Sequence, residues 1–76
     1  MTLNEFLEEL AELMEVDNSL TPETSLSDME EYDSLAIMSL IAFIDDNFNA
    51  TFSGEKLAEL KTVNDLISLI GREKLN

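Results

Sequence analysis

The sequence from Asp33 to Phe48 is DSLAIMSLIAFIDDNF. It begins with two residues that favour a helix start, because their side-chain oxygens accept hydrogen bonds from unpaired backbone N–H groups. Apolar residues then recur at helical spacing, which predicts a helix over residues 34–48. Its predicted inner face consists of Ile37, Met38, Leu40, Ile41, Ile44 and Phe48. Ser34 is therefore expected to be exposed where a loop meets a helix, and the partial positive charge of that helix end suits a phosphate group.

The outer face of this predicted helix is unusually apolar for an exposed surface. Its residues are Leu35, Ala36, Ser39, Ala42, Phe43 and Asp46. Two interpretations stay open. Either the helix is central and packed on most sides, or part of its outer face docks partner proteins.

A second amphipathic pattern lies near the N-terminus. Thr2 and Glu5 fit a capping box, and the apolar residues that follow predict a helix over about residues 3–15. Residues 17–33 show no sustained period and are rich in loop-forming residues. They also contain apolar anchors, so we expect this long loop to pack across a helix bundle. A loop of this length in a small domain is often functional.

The remaining sequence predicts two shorter helices. Ser53 is expected to cap a helix over about residues 54–60, and Thr62 is expected to cap a fourth helix in the same way. Residues 72–76 are expected to form a frayed tail. The whole pattern predicts one all-α domain over residues 1–76: a small four-helix bundle with three main helices, one short helix and a long first loop.

The composition excludes several classes of function. The chain has no Cys and no His, which removes the usual zinc ligands, thiolate nucleophiles and the commonest general base. Its net charge of −13 disfavours nucleic acid and anionic membrane as partners and favours basic protein surfaces. No apolar run is long enough to cross a membrane, and the N-terminal residues lack the basic and apolar regions of a signal peptide. We expect a cytoplasmic monomer.

Acidic small domains also raise the hypothesis of calcium binding. An EF-hand loop needs Gly at its sixth position and Glu at its twelfth. A loop that begins at Asp17 places Pro22 at the sixth position, and one that begins at Asp45 places Ala50 there. Neither loop fits, so we expect no specific metal site.

The motif Asp33-Ser34-Leu35 and its setting resemble the acyl carrier protein family over nearly the whole chain. The loop sequence LTPETSL precedes the motif at residues 20–26. Downstream of the motif, apolar residues occupy the positions at which the family has core residues: Phe48, Phe52, Leu57, Leu60, Val63 and Ile67. Asp-Ser-Leu by itself is a weak signal, whereas its position in a small, acidic, four-helix pattern is much more specific.

The resemblance implies that a separate phosphopantetheinyl transferase attaches 4'-phosphopantetheine from coenzyme A to a serine, which by position is Ser34. Asp33 is then expected to orient the site during modification, and Leu35 to contact partners. Two absences agree with this. A chain without Cys must borrow its reactive sulfur from a cofactor, and a serine without any His to activate it is not expected to be a catalyst. We expect no catalytic residue.

The resemblance further implies that the acyl group, held as a thioester, shelters inside the bundle and is presented to acyl-loading and acyl-transfer enzymes through basic docking patches. The expected acyl-pocket lining is Ile37, Met38, Ile41, Phe52, Leu57 and Leu60. The expected partner-binding residues are Leu35, Ala36, Ser39, Ala42 and Asp46.

This sequence departs from the family in where its charges lie. The family's second helix usually carries carboxylates on its docking face, but Ala36 and Ser39 occupy the early positions here. Eleven of the seventeen acidic residues precede Ser34 instead. Glu31 also stands where many members have Gly. The sequence therefore favours a specialised carrier over the main fatty-acid carrier.

Two other functions stay open at this stage. A carrier for aminoacyl or other activated acids would share the fold and Ser34, and would differ only in its loading enzyme. An unmodified acidic adaptor would use its acidic first helix to bind proteins and would not need the serine hydroxyl.

Overall fold

Four α-helices form the framework of residues 1–75, the part of the chain that the computed structural model describes. They are α1 (Leu3–Leu13), α2 (Ser34–Phe48), α3 (Gly54–Ala58) and α4 (Val63–Ile70), and a 3-10 helix at Arg72–Lys74 follows. The described residues contain no β-strand, and their one isolated bridge joins Ser25 to Thr62. The predicted all-α class, with three main helices, one short helix and a long loop after α1, is confirmed.

Each of these α-helices begins at a residue whose side chain caps it, and the sequence had marked each of these residues as a candidate cap. In each case the side-chain oxygen accepts a hydrogen bond from a backbone N–H three residues later, which satisfies one of the unpaired donors of the first turn. The four capping residues are Thr2, Asp33, Ser53 and Thr62. These caps explain why the helix starts were predictable to the residue.

The end of α1 was less predictable than its start. The helix stops at Leu13, two residues before the expected end, and Glu15 adopts the left-handed conformation with φ 57°. The Glu15 N–H donates to the Glu12 carbonyl at 3.1 Å, and the Val16 N–H donates to the Ala11 carbonyl at 3.0 Å. This pair of bonds is a Schellman motif, a helix ending that usually has Gly at its left-handed position.

The core lies between the helices and is apolar throughout the described residues. Its fully buried side chains are Phe6, Leu10, Leu26, Leu40, Ile44, Leu57, Val63, Leu66 and Ile67. Phe6 of α1 packs against two aromatic rings of α2, with ring centroids 6.1 Å from Phe43 and 6.2 Å from Phe48. Edge and tilted contacts of this kind add to the stabilisation that burial alone provides.

The long loop, residues 14–33, is anchored as predicted. Leu20 and Leu26 are buried in the core. The backbone of the loop also reaches the start of α4: the Leu26 N–H donates to the Lys61 carbonyl at 2.7 Å, and the Val63 N–H donates to the Thr24 carbonyl at 3.0 Å. These bonds fix the loop across the bundle and so set its path towards Ser34.

Three predicted orientations on α2 are wrong. Ala36, expected on the outer face, is buried, whereas Met38, expected on the inner face, is 66% exposed. Successive residues advance by about 100° around a helix, so Met38 lies about 200° from Ala36 and from Leu40, which both face the core. Phe43, also expected outside, is half-buried against Phe6. Hydrophobicity did not distinguish the buried positions of this helix from the exposed ones, because most of its residues are apolar.

The predicted frayed tail over residues 72–76 is wrong for residues 72–75. Gly71, with φ 112°, turns the chain into the 3-10 helix, and Leu75 returns to the core with only 9% exposure. A left-handed φ of this kind favours Gly, and burial of one further leucine stabilises the returning segment. The last residue of the predicted tail, Asn76, lies outside the described residues.

Candidate functional site

Ser34 is the first residue of α2, and its side chain is exposed. The preceding residue holds the helix start in place: Asp33 Oδ1 accepts from the Ala36 N–H at 2.9 Å, and the Asp33 carbonyl accepts from the Ile37 N–H at 2.9 Å. The cap is therefore made by Asp33, and the Ser34 hydroxyl is not needed for it. The hydroxyl stands at the surface, at the end of a rigid element.

This environment does not activate Ser34 as a nucleophile. The nearest carboxylate in sequence, that of Asp33, is occupied in capping α2. The chain contains no His to act as a base. A weakly acidic hydroxyl needs such a base to attack a substrate. The site is therefore suited to modification by another protein, which supplies the base itself.

The start of α2 fits the phosphate of a covalently attached group. Ser34 and Leu35 are the first two helical residues, so their N–H groups have no carbonyl partner within the helix. The partial positive charge of the helix end also favours an anion there. The negative charge of Asp33 offsets part of that attraction.

The loop that leads into Ser34 is held against α3 by Tyr32. The Tyr32 hydroxyl donates a hydrogen bond to the Leu57 carbonyl, near the end of α3. The ring is half-buried, and burial raises the pKa of Tyr32 to about 12, because the phenolate form loses hydration. The sequence predicted apolar anchors in this loop, but not this hydrogen bond.

We expect Tyr32→Phe to lower the free energy of unfolding by about 1 kcal/mol, the usual net contribution of one hydrogen bond. In a domain of this size the thermal midpoint should fall by about 4–8 °C. Because the folded-state pKa is raised from 10.0 to about 12, the hydroxyl stabilises the fold below pH 10, and this contribution disappears as the pH rises to 12.

Urea denaturation of wild type and Tyr32→Phe across this pH range measures the effect. All other ionisable groups are the same in both proteins, so only the difference between the two curves reports on Tyr32. That difference should shrink between pH 10 and 12. A constant difference would show that the hydroxyl ionises as freely in the folded protein as in the unfolded chain.

The exposed side of α2 next to Ser34 is apolar. Leu35 is 71% exposed and Met38 is 66% exposed, and they lie three residues apart on one side of the helix. With the exposed residues further along the same side they form a surface, here called the docking face, that consists of Leu35, Met38, Ser39, Ala42 and Asp46. Four of these five residues were predicted to bind partners. Met38 lies on this side of the helix although it was expected on the inner face, and Ala36, which was predicted to bind partners, is buried.

The predicted acyl-pocket residues are distributed along the seam between α2 and α3. Leu57 and Leu60 are buried, and Ile37, Ile41 and Phe52 are half-buried against the core. Met38 does not belong to this group, because it points outward on α2. The two helices approach closely at Gly54, where a Cβ atom would lie 3.8 Å from the Ile37 side chain. Five of the six predicted residues therefore lie in one apolar region.

A groove of about 530 Å³ lies between the end of α1 and the start of α2. It is here called the α1–α2 groove. It is lined by Glu12, Leu13, Met14, Glu15, Glu31, Asp33, Leu35, Ala36 and Ser39. Asp33 and Leu35, the neighbours of Ser34 in sequence, are both in this set, whereas Ser34 itself is not. Sequence reasoning did not foresee it, because its walls come from segments about twenty residues apart.

Comparisons with known proteins identify the family to which the chain is similar. Residues 4–70 match the family model described as phosphopantetheine attachment site. An acyl carrier protein from Renibacterium salmoninarum is 31% identical over 87% of this chain and 88% of its own length. An acyl carrier protein from Petrotoga mobilis is 32% identical over the whole of this chain and 94% of its own length. No solved structure matches the chain. Within residues 1–75, no helix combines the length and the apolar character needed to cross a membrane.

Proposed function

The chain belongs to the family of phosphopantetheine-bearing acyl carrier proteins, and from this premise we propose that Ser34 is the residue that bears the cofactor. The protein is a carrier and not an enzyme. Its cofactor is 4'-phosphopantetheine, whose terminal thiol holds acyl groups as thioesters. Its partners are a phosphopantetheinyl transferase and enzymes that handle acyl groups.

The observation that carries this proposal is the exposure of an unengaged hydroxyl at a rigid helix start. Three other serines have hydroxyls that are already engaged. The Ser53 hydroxyl accepts from the Lys56 N–H and so caps α3, while the Ser25 and Ser27 hydroxyls lie 3.3 Å apart in a hydrogen bond with each other. Ser34 combines exposure, a fixed backbone and the Asp-Ser-Leu motif.

The modification is a group transfer in which the Ser34 hydroxyl oxygen forms a new bond to the phosphorus that carries pantetheine in coenzyme A. The pyrophosphate bond of coenzyme A breaks, and adenosine 3',5'-bisphosphate leaves with the electron pair of that bond. The hydroxyl proton passes to a base of the transferase, because this chain has no histidine to take it. Asp33 contributes by holding the first turn of α2, and therefore the serine, in one position.

We further propose that the docking face binds the enzymes that act on the carrier. An exposed leucine and an exposed methionine beside the attachment serine offer apolar contacts, and Met is adaptable enough to fit several partners. Asp46 offers a charge contact to a basic patch on the partner. Ala36 does not belong to the docking face, because its side chain is buried.

The seam between α2 and α3 is our proposed shelter for the acyl chain. Ile37 and Ile41 of α2 face Gly54 of α3, and the buried Leu57 lies one turn further along α3. A small outward movement of the short α3 would open an apolar space there. The scarcity of carboxylates at the start of α2 supports a specialised carrier, one that housekeeping acyl-transfer enzymes use poorly.

Intact-mass measurement tests the attachment. The purified chain, freed of any attached cofactor, is incubated with coenzyme A and a broad-specificity phosphopantetheinyl transferase, and the product is mapped by peptide mass spectrometry. The expected result is a gain of one phosphopantetheine on the peptide that contains Ser34. A gain on another serine, or no gain from a folded sample, would contradict the proposal.

A further inference from the structure

We propose that Tyr32 determines which acyl chains enter the seam between α2 and α3. Its hydrogen bond to the Leu57 carbonyl holds α3 closed against α2, and this bond must break when the seam opens around a chain. The inference rests on the proposed attachment of the cofactor to Ser34 and on the proposed shelter in the seam. It assigns to Tyr32 a role in the selection of cargo, in addition to its contribution to stability.

The closed seam has no room for an acyl chain at its closest point. A Cβ atom added at Gly54 would lie 3.8 Å from the Ile37 side chain and 4.0 Å from that of Ile41, and both are ordinary van der Waals distances. Leu57, on the same short helix, is fully buried. An alkyl chain needs more volume than this close-packed region offers. The helix α3 must therefore move away from α2 before a chain can enter.

Few polar contacts hold α3 in place. The helix has only five residues, Gly54–Ala58, which is too short for stability on its own. Within residues 1–75, the bond from the Tyr32 hydroxyl to the Leu57 carbonyl is the only hydrogen bond that joins α3 to a segment not flanking it. The rest of its attachment is the burial of apolar side chains, which contact with a bound acyl chain can replace.

Tyr32 is fixed from its other side, so it does not follow α3 outward. Its N–H donates to the Met29 carbonyl at 3.2 Å, and the Met29 N–H donates to the Leu26 carbonyl at 3.1 Å. Leu26 is itself fully buried, and its N–H donates to the Lys61 carbonyl at 2.7 Å. The Tyr32 hydroxyl is therefore a stationary partner, and outward movement of α3 separates it from the carbonyl that it binds.

The loss of this bond sets the selectivity of the seam. The net contribution of one hydrogen bond corresponds to about a fivefold change in an equilibrium constant. Burial of one methylene group corresponds to about a fourfold change. An acyl chain must therefore bury about one to two methylene groups only to offset the loss of the Tyr32 bond. Acetyl has no methylene group and is excluded, whereas octanoyl has several and opens the seam.

A comparison of side chains and cargoes tests the inference. Wild type, Tyr32→Phe and a control variant, Thr2→Ala, are each loaded by a broad-specificity phosphopantetheinyl transferase, once from acetyl-coenzyme A and once from octanoyl-coenzyme A. Thr2 caps α1 and lies outside the seam, and loss of a cap lowers stability about as much as loss of one hydrogen bond. Intact mass verifies loading, and the thermal midpoint of each loaded protein is measured.

The effect of Tyr32→Phe should depend on the cargo. In the acetyl forms the seam is closed, so the variant should melt about 4–8 °C below wild type. In the octanoyl forms the bond is already broken in wild type, so the two midpoints should differ by less than about 2 °C. Thr2→Ala should melt below wild type by the same amount with either cargo, because the cap of α1 does not depend on the seam.

A series of acyl groups of increasing length locates the threshold for entry. The shortest group that raises the thermal midpoint should be about one to two methylene groups shorter for Tyr32→Phe than for wild type. The threshold of Thr2→Ala should equal that of wild type. An identical threshold in all three proteins would overturn the inference, because Tyr32 would then not select the cargo.

Three other results would overturn it. If Tyr32→Phe lies equally far below wild type with acetyl and with octanoyl, the bond stays intact around a loaded chain. If the Thr2→Ala difference shrinks as much with octanoyl, the cargo offsets any loss of stability. If octanoyl raises the midpoint of neither wild type nor Tyr32→Phe, the seam does not shelter the chain.

Failure of the proposed attachment gives a different observation. A folded wild type that gains no mass would overturn the attachment to Ser34, and this inference with it. That result is seen before any protein is melted, so it is distinguishable from failure of the role of Tyr32 alone.

Discussion

Ser34→Ala should abolish attachment of the cofactor completely while leaving the fold intact. The hydroxyl oxygen is the atom that bonds to phosphorus in the proposed modification, and Ala offers no replacement. The side chain is exposed, and the cap of α2 is made by Asp33, so the substitution removes no buried contact. Surface changes of this kind usually alter stability by less than about 0.5 kcal/mol. Intact mass after incubation with the transferase measures attachment, and circular dichroism with thermal melting measures the fold.

Ser68→Ala is the matched control, since Ser68 is an exposed serine within a helix, α4, that does not belong to the docking face. It should be loaded as wild type is. Loading of the Ser34→Ala variant at full extent would show that another side chain bears the cofactor. A biological function that survives Ser34→Ala would instead favour an adaptor role that does not need the arm.

Leu40→Ala should destabilise the protein by about 2–5 kcal/mol, the range for removing a fully buried leucine and leaving a cavity. Leu40 is in the middle of α2 and has no exposed surface. Total stabilities of small domains begin at about 5 kcal/mol, so much of the folded population is expected to be lost. Equilibrium unfolding in urea, followed by circular dichroism, gives the change in the free energy of unfolding.

Leu35→Ala is the control for this prediction, because it makes the same substitution five residues earlier, at a position that is 71% exposed. Its free energy of unfolding should change by less than about 0.5 kcal/mol. Its effect should appear in the KM of partner enzymes, since Leu35 belongs to the docking face. Equal destabilisation by the two substitutions would mean that the orientation of α2 is different from the one described.

Local chemistry explains which parts of this protein were predictable from sequence. The helix starts at Thr2, Asp33, Ser53 and Thr62 depend on a side-chain oxygen and an N–H three residues later, and both lie within a few residues of sequence. The attachment motif is equally local. The absence of His and Cys is also read directly from the sequence, and it removes thiolate nucleophiles and the commonest general base.

The early end of α1 depends on a Schellman motif with a glutamate, where a glycine would have been recognisable. The docking of Leu75 and the Tyr32 hydrogen bond to Leu57 join residues that are distant in sequence. Such contacts leave no pattern within a short stretch of sequence. The sequence therefore did not predict how the tail docks or how the loop before Ser34 is held.

The sequence by itself determined the helical class, the helix starts and the acidic character, because short-range capping and overall composition decide them. Only the tertiary structure decided which side of α2 is buried. Ala36 is buried and Met38 is exposed, the reverse of what was predicted. Most residues of that helix are apolar, so packing against α1 and α3 decides which of them are buried. The tertiary structure also brought Glu12 and Glu15 beside Glu31, since only the folded chain places the end of α1 against the start of α2.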